Sequence, residues 1–401
     1  MKGKKAAAVL SVLISIQLVV AGCGFGGSDQ SKVVDQKNGK TKTAQLVPGA
    51  SDKEYTSLRP LGNDRVRGYI QYGAKNQADS DQLETGLMQM SKDVFSPDNY
   101  VFQSGQYLKE DDINGILYRR GQEPRKLNDQ GKKIKPLPGL NPALGKGKNK
   151  VEQSRNSPKM INYVLEQDYL KKGSGGKYTL SGVSIAISLN SVYADKIMDN
   201  KKMIHNVNVP LKASDVQAWG KAHAPQIIQR IRSVEGLEKV PIFLALYMTA
   251  APDSLVSGDF FAHTEIPQGS SSINKWTNVN EDHVLFPSSQ ASSKYKADLD
   301  KFNVFVDDIK SYYPDYVDVI GKGFYRDKKL QDLTLTVNLD KFRDKTEIIG
   351  FTNYIASVLN TRFRFPRTVS VHIYLTTGDV QEALIERTPD MDDAYVSVYN
   401  N

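Results

Sequence analysis

Apolar and polar positions along this chain alternate with two different periods, and the places where the period changes outline its elements. Arg65-Val66-Arg67-Gly68-Tyr69-Ile70-Gln71-Tyr72 reads as a strand ending at Gly73. Leu83, Leu87, Met90 and Val94 then recur at helical spacing behind Asp79 and Gln82, a pair that resembles a capping box. Ile113 to Arg119 reads as a second strand, and Ser157 to Lys171 as a short helix. The steadiest helical stripe is Tyr295, Leu299, Phe302, Val306, Ile309 and Tyr313, stopped by Pro314. An amphipathic stripe of this kind is read as core packing in preference to a cofactor groove.

Two stretches repeat one design. Gly182 to Asn190 alternates like a strand, Ser214 with Gln217 opens a helix running towards Gly236, and Val240 to Met248 forms an apolar strand. Leu333 to Asp340, a helix opened by Asp344 with Glu347 and running through Leu359, and Val369 to Leu375 follow the same order. Strands and helices interleave, but the connections are long and the strands uneven. The expected fold class is therefore α+β, with mixed sheets and helices and two related strand–helix–strand units in the C-terminal part.

The N-terminus carries a different kind of signal. Lys2, Lys4 and Lys5 precede the apolar run Ala6 to Val20. As a helix that run would span ~22 Å, short of a ~30 Å hydrocarbon core, so a secretory signal peptide fits better than a permanent span. Val20-Ala21-Gly22-Cys23 resembles the bacterial lipobox, in which cleavage falls between Gly22 and Cys23 and the thiol receives a diacylglyceryl group. Cys23 is the only cysteine, which excludes a disulfide framework, a multi-Cys zinc site and a CxxC redox centre. Gly, Ser, Asp, Lys, Gln and Thr dominate from Gly24 to Ser57, the composition of a flexible tether. The expected organisation is a signal peptide at 1–22, a lipidated tether at 23–57, an N-terminal α+β region at 58–171 and a C-terminal α+β region at 172–401. Such a protein would sit at the outer face of the cytoplasmic membrane.

Charge singles out one more segment. The chain carries a net charge of +8. Between Arg119 and Lys159 twelve Lys or Arg stand against three acids, with five prolines and five glycines interspersed. This reads as a long irregular surface loop. Arg119, Arg120, Arg125, Lys126, Lys132, Lys133, Lys135, Lys146, Lys148 and Lys150 are its candidate contacts to an anionic lipid surface or wall polymer. A solvated linker is the competing reading. Nucleic acid is not expected as a partner, since the charge is confined to one loop without interleaved aromatics.

Catalytic and metal-binding patterns are sparse. The sequence has no GxSxG elbow and no SxxK pair, and its five His, at 205, 223, 263, 283 and 372, are dispersed. Glu281-Asp282-His283 sets ligand types side by side, though adjacent residues rarely converge on one metal. His372, between Val371 and Ile373, reads as a satisfied strand histidine. Gly173-Ser174-Gly175-Gly176 lacks the Lys-Ser/Thr of a phosphate loop and reads as a turn. No metal or cofactor is expected. A non-enzymatic binding or scaffold protein is the first reading, a wall-polymer enzyme with a site assembled from scattered residues the alternative, and a spacer the third.

Several stretches together resemble the CamS family, the sex-pheromone precursor lipoproteins of Gram-positive bacteria. They are the lipobox, Leu58-Arg59-Pro60-Leu61-Gly62-Asn63-Asp64-Arg65, Leu117 to Asn128, Gly139-Leu140-Asn141-Pro142-Ala143-Leu144 and Gly323-Phe324-Tyr325-Arg326-Asp327. The resemblance implies a peptide cut from the C-terminal part of the signal, here roughly Ile16 to Gly22, and a lipoprotein body with no assigned activity. Gln17 and Val19-Val20 depart from the more uniformly aliphatic, Ala-rich peptides of that family.

Overall fold

Strands rich in β-branched and aromatic residues form two large sheets, and each contains a parallel pair of strands joined by a helical crossover. The computed structural model describes residues 30–34, 41–51, 53–59, 76–124, 126–127, 133–134, 137–199, 201–312, 317–339 and 344–400. The elements run β1 (Gln30–Val34), β2 (Thr41–Val47), β3 (Ser57–Leu58), α1 (Gln77–Ser91), β4 (Val101–Ser104), α2 (Glu110–Leu117), β5 (Lys126–Leu127) and β6 (Lys133–Ile134). Next come α3 (Lys150–Arg155), β7 (Ile161–Lys172), β8 (Lys177–Leu189), β9 (Val192–Met198), β10 (Ile204–Pro210), α4 (Ala213–Arg232), β11 (Ile242–Met248), β12 (Asp259–Ile266) and β13 (Thr277–Asn278). The last group is β14 (Glu281–Phe286), α5 (Ser289–Lys294), α6 (Lys296–Lys310), β15 (Val317–Arg326), β16 (Lys329–Leu339), α7 (Lys345–Thr361), β17 (Ser370–Thr377), β18 (Val380–Arg387) and β19 (Tyr395–Val398).

A nine-stranded sheet has the order β1-β2-β3-β4-β7-β8-β11-β12-β13, and a six-stranded sheet runs β14 to β19 in sequence order. β9 with β10, and β5 with β6, form separate two-stranded ladders. One large apolar cluster gathers buried residues from Tyr55 to Ile266, and a second those from Val284 to Ile385. The α+β class with mixed sheets is what the structure has.

The repeat is more extensive than the two strand–helix–strand stretches. β8 and β11 are parallel, as are β16 and β17, and each pair is flanked by antiparallel partners on both sides. Val183 faces Ile242 in the first pair and Leu333 faces Val371 in the second. Their partners on the preceding strand are Asp168 and Gly323, and in each ladder the register shifts just after the next residue, at Tyr169/Leu170 and at Phe324/Tyr325. The following ladders shift at Leu246/Tyr247 and Leu375/Thr376, again at matching positions counted from Ile242 and Val371. Bulges are specific local features, so their coincidence supports one design used twice. The crossover helices bury matching stripes, with Val216, Ala224, Ile227, Ile228 and Ile231 on α4 and Ile348, Phe351, Ile355 and Leu359 on α7. Gly220 lets α4 approach the sheet, since a Cβ there would lie 2.5 Å from Leu189 Cδ1.

Several sequence expectations are corrected. Within the stretch expected as tether, residues 30–34, 41–47 and 57 lie in strands. Val33, Ala44 and Leu58 pack with Leu170 and Tyr178, and β1 pairs in parallel with β8 through Lys32–Lys177 and Val33–Tyr178. Residues 161–172 form a strand instead of a helix, buried on both faces, so polar alternation is missing. Residues 110–117 form a helix instead of a strand, with Glu110, Asp111 and Asp112 in a first turn where negative charge is favourable. The boundary at 171/172 falls inside the β7–β8 hairpin, where Lys171 faces Thr179 and Lys172 faces Tyr178. The apolar core divides instead between Val279 and Val284. The turn of that hairpin does use Gly175 and Gly176, both at positive φ. The strand expected at 65–72 lies outside the described residues.

Candidate functional site

The basic segment begins at the end of α2 and returns to the core at β7. Its ends are tied by Asn141, a buried side chain with all its hydrogen-bonding capacity used. Nδ2 donates to Leu117 O (2.9 Å) and Ile161 O (3.1 Å), and Oδ1 accepts from Met160 N and Ile161 N, both at 2.8 Å. Gly139 sits where the returning chain crosses Tyr118, and a Cβ there would come within 2.1 Å of the Tyr118 carbonyl oxygen. Its N–H donates to Glu123 (2.6 Å), and this bond, helped by nearby Arg120, holds the Glu123 carboxyl below its usual range.

Arg119 is corrected as a surface contact. It is only 3% exposed. Its Nη1 donates to Pro142 O (3.1 Å) and Ser157 O (2.6 Å), and the guanidinium lies 5.2 Å from the centre of the Tyr193 ring. Arg119 therefore closes the segment onto itself and onto β9. Arg120, Lys146, Lys148 and Lys150 are exposed. Lys126 and Lys133 stand on the β5–β6 ladder as a pair of strand positions, next to Ile134 and Leu127 respectively across it. Arg125, Lys132, Lys135, Gly22 and Cys23 lie outside the described residues. Lys146, Lys148 and Lys150 thus stand at the start of α3, which packs through Val151 against Tyr193 and Val207 of the β9–β10 hairpin.

A polar cleft of about 680 Å³ lies where β12 meets β14, and Asp259, Glu281, Asp282, Lys294, Tyr295 and Asp327 are among its lining residues. The Glu281-Asp282-His283 triplet does not converge, because successive strand residues point to opposite faces. Glu281 takes Arg326 (3.0 Å), Asp282 takes Tyr295 Oη (2.7 Å) and Lys294 (3.1 Å), and His283 Nδ1 lies 2.7 Å from Asp259. Burial pushes the Asp259 and Glu281 carboxyls up, opposed by His283 and Arg326 respectively. Burial, reinforced by the bond to Asp282, pushes the Tyr295 hydroxyl up. The cleft offers seated acceptors and cations, and each acid already has an internal partner. Among the described residues no group of three His, Cys, Asp or Glu side chains is placed to hold a metal ion.

A smaller pocket of about 280 Å³ lies between α1, α2 and β7, with Met88, Phe102, Leu108, Ile113 and Leu165 in its wall. Glu166 also lines it, buried, with Oε2 accepting from Leu108 N (2.9 Å) and Tyr107 N (3.1 Å). Burial pushes this carboxyl to about 7, against the pull of the two amides. His372 is satisfied as expected, 3.0 Å from Asp332 and 3.4 Å from Glu386.

Sequence reasoning missed Asp79, which is not a helix cap. Asn76 caps α1 by accepting from Ala78 N (2.9 Å). Asp79 is instead 3% exposed and accepts from Tyr247 Oη (2.6 Å), Gly258 N (2.8 Å) and Ala250 N (3.1 Å), clipping α1 to the β11–β12 connection. Its only sequence signal was an acid on the apolar side of a helical stripe.

The family model described as CamS sex pheromone cAM373 precursor matches residues 62–393. The fold is similar to that of a sex pheromone precursor from Lactobacillus salivarius subsp. salivarius, with a TM-score of 0.75 at 26% identity, covering 89% of this chain and 99% of that one. It is also similar to the C-terminal domain of the sex pheromone staph-cAM373 precursor from Staphylococcus aureus, with a TM-score of 0.66 at 29% identity, covering 83% of this chain and 100% of that one. No curated protein matches the chain. With the family model running over most of its length and the fold shared with solved precursors, the chain belongs to the CamS sex pheromone cAM373 precursor family.

Proposed function

We propose that this protein is an exported lipoprotein, held at the outer face of the cytoplasmic membrane by a diacylglyceryl group on Cys23, with a non-enzymatic binding or scaffold role. The observation that carries the reading is Val20-Ala21-Gly22-Cys23 behind a basic and apolar leader, in a chain of a pheromone-precursor family. Two acyl chains on one cysteine suffice for stable anchoring where a single chain is marginal. Among the described residues no helix is long and apolar enough to cross a membrane. Cleavage before Cys23 frees the leader, and further trimming would yield an apolar peptide of roughly Ile16 to Gly22. The exposed cations Arg120, Lys146, Lys148 and Lys150 face an anionic partner, lipid headgroup or wall polymer.

The test is fatty-acid labelling of cells making the wild type or Cys23→Ser, with mass spectrometry of the medium for the leader-derived peptide. Label on the wild type alone is the expected result. Label persisting on Cys23→Ser would refute the anchor, and absence of the peptide from the medium would refute its release.

A further inference from the structure

We propose that the tip of the β9–β10 hairpin is a membrane-contact element that inserts side chains into an anionic lipid surface, next to the basic segment. The proposal rests on the reading that the protein stands at a membrane. Met198 and Ile204 face each other across the last pair of the ladder, and Met203 precedes Ile204 in the turn. The three side chains are 56%, 63% and 62% exposed respectively, and among the described large apolar residues only Leu137, Leu255 and Tyr395 are comparably exposed. They stand together at one end of one hairpin, which separates them from the scattered apolar residues every surface carries.

The tip is rigid. Asp199 N donates to Met203 O (2.9 Å), and the Asp199 carboxylate accepts from Lys201 N (2.8 Å), Met203 N (2.9 Å) and His205 Nε2 (2.8 Å). Lys202 adopts positive φ to close the turn. The base is fixed too, since Tyr193 and Val207 pack on Val151 of α3. A pre-ordered loop loses little further conformational freedom on docking.

Charge selects the partner. Lys196, Lys201 and Lys202 surround the apolar trio, and none forms an ion pair among the described residues. The two acids of the hairpin are occupied internally, Asp195 by Tyr193 Oη (2.9 Å) and Asp199 by the turn. Lys201 and His205 share a groove of about 560 Å³ with Asn149, Arg155 and two acids, Asp199 and Glu152, the latter accepting from Lys148 N (2.8 Å), which brings Lys148 and Lys150 of the basic segment alongside. An anionic wall polymer would satisfy the lysines but has no hydrocarbon for the trio. An anionic bilayer satisfies both, with the apolar side chains reaching ~5–10 Å into the headgroup boundary.

The experiment uses the mature lipidated protein in vesicles of phosphatidylglycerol or phosphatidylcholine, with Ile204→Trp as reporter and the wild type as background for Trp219 and Trp276. Lipid brominated along its chains should quench the reporter in the anionic vesicles. Lys196→Gln, Lys201→Gln and Lys202→Gln should each lower the fraction in contact, by about fivefold per lysine. Met198→Ser with Met203→Ser should abolish quenching in the reporter chain, with circular dichroism confirming the fold. A reporter that stays unquenched and open to aqueous iodide would overturn the proposal, as would a response to purified wall polymer but not to vesicles. Mass spectrometry of Cys23 in the same sample separates the two readings. Lipid present without quenching leaves the anchor standing and removes the tip, whereas quenching of a lipid-free chain added to vesicles supports the tip and removes the anchor.

Discussion

Replacing Asp79 by Ala should destabilise the first unit by about 4 kcal/mol, a value built from its donors. Tyr247 Oη, Gly258 N and Ala250 N converge on this carboxylate, and Tyr247 is fully buried. Leaving a buried donor unsatisfied costs ~1–3 kcal/mol. Three donors place the loss at ~3–9 kcal/mol, and a water admitted to the vacated space favours the lower part of that range. Asp79→Asn keeps an acceptor and should cost only about 1–2 kcal/mol, the difference between a charged and a neutral hydrogen bond. Tyr247→Phe should cost about 1 kcal/mol, and less in an Asp79→Ala background, because its partner is already gone. Thermal unfolding of the full chain is the assay, with ~2–4 °C lost per kcal/mol for a unit of this size. An Ala variant within about 1 kcal/mol of wild type would refute the clip, and additive losses in the double variant would refute direct coupling.

Two further outcomes follow from a half-buried histidine and a buried arginine. The bond to Asp332 holds the His372 imidazole above its usual range against the effect of burial. Because the folded pKa is raised, that stabilisation is complete below about pH 6.5 and lost as pH rises through the folded value. The wild type should therefore lose melting temperature relative to His372→Gln above that point, and parallel pH curves would refute the coupling. Arg232 donates to Val240 O (2.5 Å), Leu237 O (2.8 Å), Ser270 O (2.9 Å) and Pro267 O (3.1 Å). Arg232→Met should cost about 3 kcal/mol in urea unfolding, and Arg232→Lys should recover less than half, since one ammonium cannot span four carbonyls; full rescue by Lys would refute this reading.

Local order of elements was legible wherever one face meets solvent. The second repeat shows this best, because Leu333, Leu335, Val337 and Leu339 alternate with half-exposed residues and Asp344 caps α7 by accepting from Thr346 N (2.8 Å). The stripe on α6 likewise placed Phe302 and Ile309 in the core. The proposed leader and the role proposed for Cys23 rest on linear sequence alone, because an export signal is a pattern of neighbours in the chain. Legibility failed where the neighbours of a residue come from far along the chain. β7 is buried on both faces up to Leu170, so its apolar residues fit a helical or a strand period equally well. β1 and β2 look polar because their few apolar residues need only cover Leu170 and Tyr178 at the edge of a sheet made elsewhere.

The candidate sites divide in the same way. Sequence alone determined the net positive excess of residues 119–159 and the family to which the chain belongs. Only the tertiary structure decided that Arg119 is a buried tie while Lys146, Lys148 and Lys150 face outward beside the β9–β10 hairpin. It also sent Glu281, Asp282 and His283 to three different partners and drew Asp79 to Tyr247, 168 residues away. Period and composition are properties of neighbours in sequence, whereas a buried charge is defined by whichever donors the packed chain brings to it, and that depends on the whole fold.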